Sequence, residues 1–296
     1  MSTVRHRVFR STRRFEQGVR AGLRSARQSP EVPWEFLEEV AGAGRAAPAS
    51  HSLTPGAGRR DAGFRIQVEC SGGVLVAADL QTRSFKVDDT GNELPYVLSV
   101  PGTPPGTAAA RGLPLLLFLH GASERGDDPR DLAAHGPVKQ LAEGGELPFV
   151  VLAPQCPAYS TWAVEVPGVY ALLEEIVEEY GIDQDRVYVT GLSMGGAGSW
   201  AIAARYPQRF AAAVPICGSW LPEAAERIGT LPVWTFHGED DENIPVRHTE
   251  KIVEALHHNG NQARFTRYPG VGHDSWTRTY DNPEVYDWLL AQRRGG

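Results

Sequence analysis

The segment from Arg186 to Gly195 constrains this chain more than any other stretch. A short β-rich run leads into Gly-x-Ser-x-Gly and then into an alanine-rich helical pattern from Gly195 to Tyr206. Ser193 therefore falls on a sharp strand-to-helix turn, where Gly191 and Gly195 leave room for crowded backbone. Such a turn projects the serine hydroxyl into a cleft, so the segment predicts a nucleophile at Ser193. A plain glycine turn is the alternative for the pentapeptide alone.

Length and charge indicate one large domain with an N-terminal tail. Residues 1–60 hold 11 arginines and 5 acidic residues, with little periodic hydrophobicity beyond a short helical pattern from Pro33 to Val40. We expect this arginine-rich tail to be disordered and residues 61–296 to form the catalytic domain. The remaining 236 residues hold 18 basic and 31 acidic side chains. Such an acidic body repels phosphate, so no nucleic-acid partner is expected.

The tail leaves the compartment open between two interpretations. Its arginines and serines resemble an organellar transit peptide, but an arbitrary linker has the same composition. We expect a soluble cytoplasmic protein, or an organellar one if the tail is a transit peptide. No apolar run is long enough to cross a bilayer, so no integral membrane association is expected. Three cysteines, Cys70, Cys156 and Cys217, show neither a disulfide framework nor zinc-type spacing, and Cys217 is expected to be a small buried hydrophobe.

Strands precede and then alternate with helices along the body. Four predicted strands, separated by Gly, Asp and Pro turns, form an antiparallel lead-in: Phe64–Cys70, Gly73–Asp79, Arg83–Val87 and Tyr96–Val100. Six short apolar runs then suit buried strands: Leu115–Leu119, Phe149–Leu152, Arg186–Thr190, Ala211–Pro215, Val233–Phe236 and Ala263–Tyr268.

Five helical patterns separate most of these runs. They are Asp131–Glu143, Gly168–Tyr180, Gly195–Tyr206, Arg247–His258 and Pro283–Gln292, each with apolar residues at three-to-four spacing. The alternation predicts an α/β fold with a mostly parallel central sheet and helices on both faces.

A serine nucleophile requires a base, and the base requires a carboxylate. The strand Val233–Phe236 is followed by an acidic cluster, Glu239 to Glu242, and the strand Ala263–Tyr268 is followed by His273. Both segments lie at strand carboxyl ends, where open α/β sheets bind ligands. A solvated turn or a weak cation site is the alternative for the acids. An exposed loop histidine is the alternative for His273.

An oxyanion hole requires two backbone N–H donors aimed at the developing charge. His120, Gly121 and Ala122 follow the most apolar strand, at the position expected for a loop facing the nucleophile turn. We assign the donors to the N–H groups of Ala122 and Met194. His120 itself is expected to fix this loop.

Several motifs together resemble α/β-hydrolases of the bacterial "predicted peptidase" and carboxylesterase group, which is related to prolyl oligopeptidase catalytic domains and to feruloyl and polyhydroxybutyrate esterases. They lie between about residues 94 and 291 and comprise Leu94-Pro95-Tyr96, Phe118 to Asp128, His135-Gly136-Pro137, Ala153 to Pro157, Gly191 to Gly196 and Gly272 to Trp276. Ser123 stands where that group usually has glycine.

The resemblance implies hydrolysis through an acyl-enzyme, with Ser193, an acid and His273 in α/β-hydrolase order. The motif His-Gly-x-x-Asp-x-x-Ile-Pro resembles that superfamily's acid-bearing loop, so Asp241 is the predicted acid and Asp240 the second choice. No cofactor or metal is expected.

The predicted function is cleavage of small or medium carboxylic esters. A serine peptidase acting on short peptides, or a non-catalytic binding protein of the same fold, are the alternatives. Trp162, Trp276 and Ser123 are candidate substrate-binding residues, although core packing is also open for both tryptophans. Arg125 either stiffens the oxyanion loop with Glu124 or meets an anionic substrate group.

Overall fold

Ten strands and seven α-helices are defined in the part of the chain described by this computed structural model, residues 69–70, 73–74, 80–87, 92–102 and 112–295. The predicted tail of residues 1–60, with its Pro33–Val40 helix, lies outside the described residues. So does most of the predicted strands Phe64–Cys70 and Gly73–Asp79.

The strands form a two-stranded ribbon and one eight-stranded sheet. They are β1 (Glu69–Cys70), β2 (Gly73–Val74), β3 (Leu80–Lys86), β4 (Glu93–Ser99), β5 (Leu115–Leu119), β6 (Val150–Pro154), β7 (Val187–Leu192), β8 (Ala212–Ile216), β9 (Trp234–Gly238) and β10 (Arg264–Tyr268).

The large sheet has the order β10-β9-β8-β7-β5-β6-β4-β3. Strand β3 pairs antiparallel with β4, and β4 pairs antiparallel with β6. The remaining neighbours are parallel, from β6 through β5, β7, β8 and β9 to β10. This architecture confirms the predicted mostly parallel sheet with an antiparallel N-terminal lead-in.

The helices lie between the strands and at the C-terminus. They are α1 (Gly136–Ala142), α2 (Trp162–Tyr180), α3 (Met194–Arg205), α4 (Ala224–Ile228), α5 (Arg247–His258), α6 (Trp276–Tyr280) and α7 (Pro283–Ala291). Helices α4 and α6 were not predicted from the sequence, because five residues are too few to show a helical period. No helix in the described part of the chain is both long and apolar enough to span a bilayer.

Alternation along β5 shows how both faces of the sheet are buried. Leu116 and Phe118 join an apolar cluster that also includes Val138 of α1 and Leu289 of α7. Successive strand residues point to opposite faces, so the equally buried Leu117 faces the other side, where α2 and α3 contact β5. With both faces covered, the central strands consist of continuous apolar runs, which is why the sequence located them well.

Two predicted helices differ from the structure. The pattern from Asp131 to Glu143 is not one helix but a 3₁₀ segment, Pro129–Ala134, followed by α1. His135 separates them in an extended conformation, with φ of −145° and ψ of 163°. Gly136, which begins α1, has φ of +65°, and Pro137 after it disfavours the right-handed α conformation at Gly136. Helix α2 begins at Trp162 rather than Gly168, because Pro167 lies inside the helix instead of starting it.

Gly136 and Gly144 allow a matched test of this break. Alanine at either position bears the left-handed penalty of about 1 kcal/mol, since φ is +65° and +88°. A Cβ at Gly136 would also lie 2.8 Å from two Phe118 ring carbons, whereas nothing lies within 4 Å at Gly144. We expect Gly136→Ala to lower the free energy of unfolding by about 1 to 3 kcal/mol more than Gly144→Ala, measured by urea denaturation. Equal losses would contradict this account.

Candidate active site

Ser193 lies on the turn between β7 and α3 in a strained conformation. Its φ is 53° and its ψ −117°, a region that costs a non-glycine residue about 1 to 3 kcal/mol. Two backbone hydrogen bonds hold it there, from its N–H to Ile216 O at 2.9 Å and from Ala197 N–H to its carbonyl at 3.0 Å. The predicted crowding is confirmed, since a Cβ on Gly195 would collide with the carbonyl of Leu119.

Three side chains from separate loops meet at this turn. His273, in the loop after β10, places Nε2 2.9 Å from Ser193 Oγ and Nδ1 2.7 Å from Asp241 Oδ2. Asp241 lies in the loop after β9, and its side chain is 0% exposed, whereas that of His273 is 19% exposed. The structure therefore joins the three predicted residues in one hydrogen-bonded series. Asp240, the second choice for the acid, is exposed.

The Asp241 carboxylate is surrounded by donors. Its Oδ1 accepts the backbone N–H groups of Asn243 and Ile244, each at 2.9 Å, and its Oδ2 lies 3.1 Å from Nε2 of the buried His237. Burial alone would raise the pKa of Asp241, but hydrogen bonds from His237, His273 and the Ile244 N–H outweigh it and hold that pKa well below its usual value. Asp241 is therefore ionised at neutral pH.

The two predicted oxyanion donors begin helical segments. Ala122 is the first residue of a 3₁₀ turn, Ala122–Glu124, and Met194 is the first residue of α3. The first N–H groups of a helix have no intrahelical acceptor, so both are available to a ligand. The loop lies close to the nucleophile turn, since a Cβ on Gly121 would be 2.8 Å from Leu192 Cδ1.

His120 sets the orientation of the Ala122 N–H. The Cys156 N–H donates to His120 Nε2 at 2.9 Å, so the ring proton resides on Nδ1, which lies 2.6 Å from Gly121 O. The Gly121 carbonyl and the Ala122 N–H belong to one peptide plane and point in opposite directions. Burial lowers the pKa of His120 to about 4, so the ring is neutral. His120 thus fixes the loop, as predicted.

Trp162 lies in the core and not on an open pocket wall. Its side chain is 1% exposed, and its indole N–H donates to His120 O at 2.9 Å. The expectation that it binds substrate is therefore corrected: it supports the oxyanion loop from beneath. Trp162 precedes the predicted helical pattern that begins at Gly168, so the sequence gave no signal of whether its side chain faces the core or the solvent.

The other predicted pocket residues lie near the site. The Trp276 ring packs edge-on against His273, with centroids 5.3 Å apart, and Ser123 is exposed and donates to Glu124 Oε1. Arg125 donates from Nε to Ala122 O at 3.1 Å and from Nη1 to Ser160 O at 3.2 Å. These bonds give Arg125 a bracing position on the loop.

Cys217 lies beside the Ser193, His273 and Asp241 series, which we call the triad. It is fully buried, as predicted, and its φ of 41° makes it the second non-glycine residue with positive φ among the described residues, after Ser193. Its Sγ, the Asp241 carboxylate and a His273 ring nitrogen all lie within 4.8 Å of one another. Burial raises the pKa of Cys217 to about 12, so it remains a thiol.

Comparison with known proteins places this geometry in a family context. Residues 165–288 match the sequence model of the dienelactone hydrolase family. A solved structure of a thermostable esterase superposes with a TM-score of 0.64 at 36% identity, covering 73% of this chain and 63% of that one. These likenesses show that the chain has the α/β-hydrolase fold. Solved esterase and peptidase structures at 13% to 19% identity share this fold.

Two curated relatives of this chain are named as esterases. Carboxylesterase SOBER1 of Arabidopsis thaliana is 29% identical over 161 residues, which are 51% of this chain and 66% of that protein. The bifunctional acetylxylan esterase/xylanase XynS20E of Neocallimastix patriciarum is 27% identical over 184 residues, 59% of this chain and 26% of that protein. The chain therefore spans less than two thirds of the length of these relatives.

The buried charge of Asp241 predicts a pH-dependent loss of stability in Asp241→Asn. At pH 7 we expect a loss of about 3 kcal/mol, because the substitution removes a buried, multiply bonded charge. The depressed pKa means that the stabilisation by Asp241 is complete above about pH 4 and fades as the pH falls through the folded-state pKa. The difference from wild type, measured by urea unfolding, should therefore narrow below about pH 4.

Asp240→Asn is the matched control, because Asp240 is the adjacent and exposed carboxylate. We expect its free energy of unfolding to stay within about 0.5 kcal/mol of wild type. A difference between wild type and Asp241→Asn that does not change between pH 7 and pH 3 would contradict the account of the buried charge.

Proposed function

We propose that this protein is a serine hydrolase that cleaves carboxylic esters of small or medium size through an acyl-enzyme. The observation that carries the proposal is the hydrogen-bonded series from Asp241 through His273 to Ser193 at the carboxyl ends of the parallel strands. The esterase names of its relatives support the same chemistry.

Acylation begins with attack of Ser193 Oγ on the ester carbonyl carbon. As the bond forms, the hydroxyl proton passes to His273 Nε2, 2.9 Å away. The imidazolium then gives this proton to the departing alkoxide, and the ester C–O bond breaks. Asp241 holds the Nδ1 proton of His273 and stabilises the positive charge on the ring while it lasts.

The carbonyl oxygen gains negative charge during attack. The N–H groups of Ala122 and Met194 are assigned to bind it, and removing one such donor typically costs about 3 kcal/mol of transition-state stabilisation. Because His120 and Trp162 hold the loop from below, the Ala122 N–H is oriented before the substrate arrives.

Deacylation repeats the steps with water as nucleophile. His273 Nε2 accepts a proton from water as the hydroxide attacks the acyl carbon, and it returns that proton to Ser193 Oγ when the acyl bond breaks. The carboxylic acid leaves and the enzyme is regenerated. No step in this sequence requires a cofactor.

The connections between strands favour small or medium substrates. After Ser193, the chain from β7 to β10 passes only through α3, a short 3₁₀ turn, α4 and α5. This stretch contains no additional helical insertion that would form a large lid. Trp276, edge-on to His273, and the exposed Ser123 are the side chains proposed to contact substrate.

A peptidase acting on short peptides is the second candidate, because solved peptidases share the fold and this chemistry needs the same three side chains. A panel of p-nitrophenyl esters of increasing acyl length and the matching aminoacyl p-nitroanilides separates the two. We expect higher kcat/KM on the short esters. Preferential cleavage of the amides would replace the ester proposal by the peptidase one.

The central test uses Ser193→Ala. We expect a fluorophosphonate probe to label the wild type and not the variant, and kcat on p-nitrophenyl acetate to fall by about 10⁴-fold or more, because the nucleophile is lost. Ser219→Ala is the matched control, since Ser219 is another buried serine and should leave labelling intact. Unchanged turnover in Ser193→Ala, or an unlabelled wild type, would refute the proposed function.

A further inference from the structure

A second histidine reaches the same carboxylate oxygen as His273. His237, near the end of β9, has a fully buried side chain, and its Nε2 lies 3.1 Å from Asp241 Oδ2. We propose that His237 is a positioning residue that holds the Asp241 carboxylate in place for His273 through an Nε2–H donor. This inference rests on the proposed function, because it assigns Asp241 a role in that reaction.

The neighbours of the His237 ring determine where its proton resides. Its Nε2 faces two acceptors, Ile244 O at 2.7 Å and Asp241 Oδ2 at 3.1 Å, so Nε2 must carry hydrogen. Its Nδ1 lies 2.8 Å from Thr249 Oγ1, whose other acceptor, Gly218 O, is at 3.4 Å. The shorter contact assigns the Thr249 hydroxyl as donor to Nδ1. His237 therefore presents an Nε2–H donor to Ile244 O and to Asp241 Oδ2.

These contacts close a ring of hydrogen bonds around Asp241. The Ile244 N–H donates to Asp241 Oδ1 at 2.9 Å, while the Ile244 carbonyl accepts from the same His237 Nε2–H that reaches Asp241 Oδ2. On the opposite edge of the His237 imidazole, Nδ1 is bonded to the Thr249 hydroxyl of α5. The loop that bears Asp241 is thus tied to β9 and to α5 through one imidazole.

His237 cannot take part directly in proton transfer to substrate. It is 0% exposed, and both of its nitrogens are engaged by protein groups. It acts on Asp241 in two ways. It places a second donor 3.1 Å from Oδ2, which adds to the two backbone N–H groups that hold Oδ1. It also draws on the negative charge of the Asp241 carboxylate, which His273 would otherwise be the only histidine to contact.

Charge sharing makes the pH profile a specific readout. The groups that face the His273 ring are the Ser193 hydroxyl, the Asp241 carboxylate and the Cys217 thiol. The next residue in the chain, the exposed Asp274, bonds Thr277 through its carboxylate. Removing the His237 donor leaves Asp241 a stronger acceptor for the protonated His273. The acid limb of the kcat/KM profile should then move to higher pH. A loss of folded protein alone would lower the whole profile without moving it.

The test compares His237→Phe, which removes the Nε2 donor, with His237→Gln, which keeps an N–H near that position. On p-nitrophenyl acetate we expect His237→Phe to lower kcat by about 10- to 100-fold, the range corresponding to a lost hydrogen bond to a charged group, with KM changed less than about twofold. Its acid limb should move to higher pH. His237→Gln should recover most of kcat and restore the position of the limb.

Thr235→Val is the matched control. Thr235 lies two residues earlier on the same strand, is 1% exposed and donates to Pro215 O at 2.8 Å, so the variant loses a buried hydrogen bond without touching the triad. We expect its kcat and pH profile to equal those of wild type. If His237→Phe does not fold, the His237→Gln and wild-type profiles decide: a Gln variant that folds but has kcat as low as Ser193→Ala contradicts the assigned donor.

Two outcomes overturn separate claims. If the fluorophosphonate probe fails to label wild type, the proposed function is wrong, whatever His237 does. If wild type is labelled and folded His237→Phe keeps both its kcat and its acid limb, the proposed function stands and His237 has no positioning role.

Discussion

The buried negative charge of Asp241 is the constraint on which the site depends. An isolated carboxylate with no exposed surface would be too costly to bury in ionised form. Its four donors come from its own loop, from His237 on β9 and from His273 after β10. These segments meet only because β9 and β10 pair in parallel, with Tyr268 opposite Gly238. The backbone bonds from Glu239 N–H to Tyr268 O and from Asp240 N–H to Val271 O continue that pairing into the loops. Formation of the sheet is therefore a condition for burying this acid in its ionised form.

The sequence predicted the central sheet and the three triad positions because their signals are local. Continuous apolar runs mark β5, β7 and β8, and Gly-x-Ser-x-Gly marks the turn that carries Ser193. The carboxyl ends of parallel strands lie at one edge, so Asp241 and His273 could be placed together without knowing any distance. The predicted helix from Asp131 to Glu143 failed for the opposite reason. Its apolar spacing continues across the break, which consists of extended backbone at His135 and a positive φ at Gly136, and periodicity registers neither.

Side-chain direction was the other property beyond the sequence. Trp162 could equally have faced solvent or the core, and its buried indole N–H is satisfied by His120 O, a partner 42 residues away. The position of His237 was visible in the sequence, but its contact with Asp241 depends on how the three intervening residues fold back. The spacing of residues along the sequence does not predict either contact, the one between Trp162 and His120 or the one between His237 and Asp241. Both depend on how the loops pack against the strands.

The oxyanion loop shows how little of the chemistry depends on substrate-facing side chains. Its candidate donor is a backbone N–H, and its direction is fixed by a peptide plane that His120 holds from the opposite end. The ring must be neutral for this, since its Nε2 accepts the Cys156 N–H while Nδ1 donates. Burial provides that condition by opposing protonation. Three histidines therefore have three different roles in this protein, and their surroundings determine which role each has. His120 is buried beside backbone and stays neutral, and His237 is buried beside a carboxylate and donates. His273, bonded to the same carboxylate and partly open to solvent, is the ring that remains free to exchange a proton with Ser193.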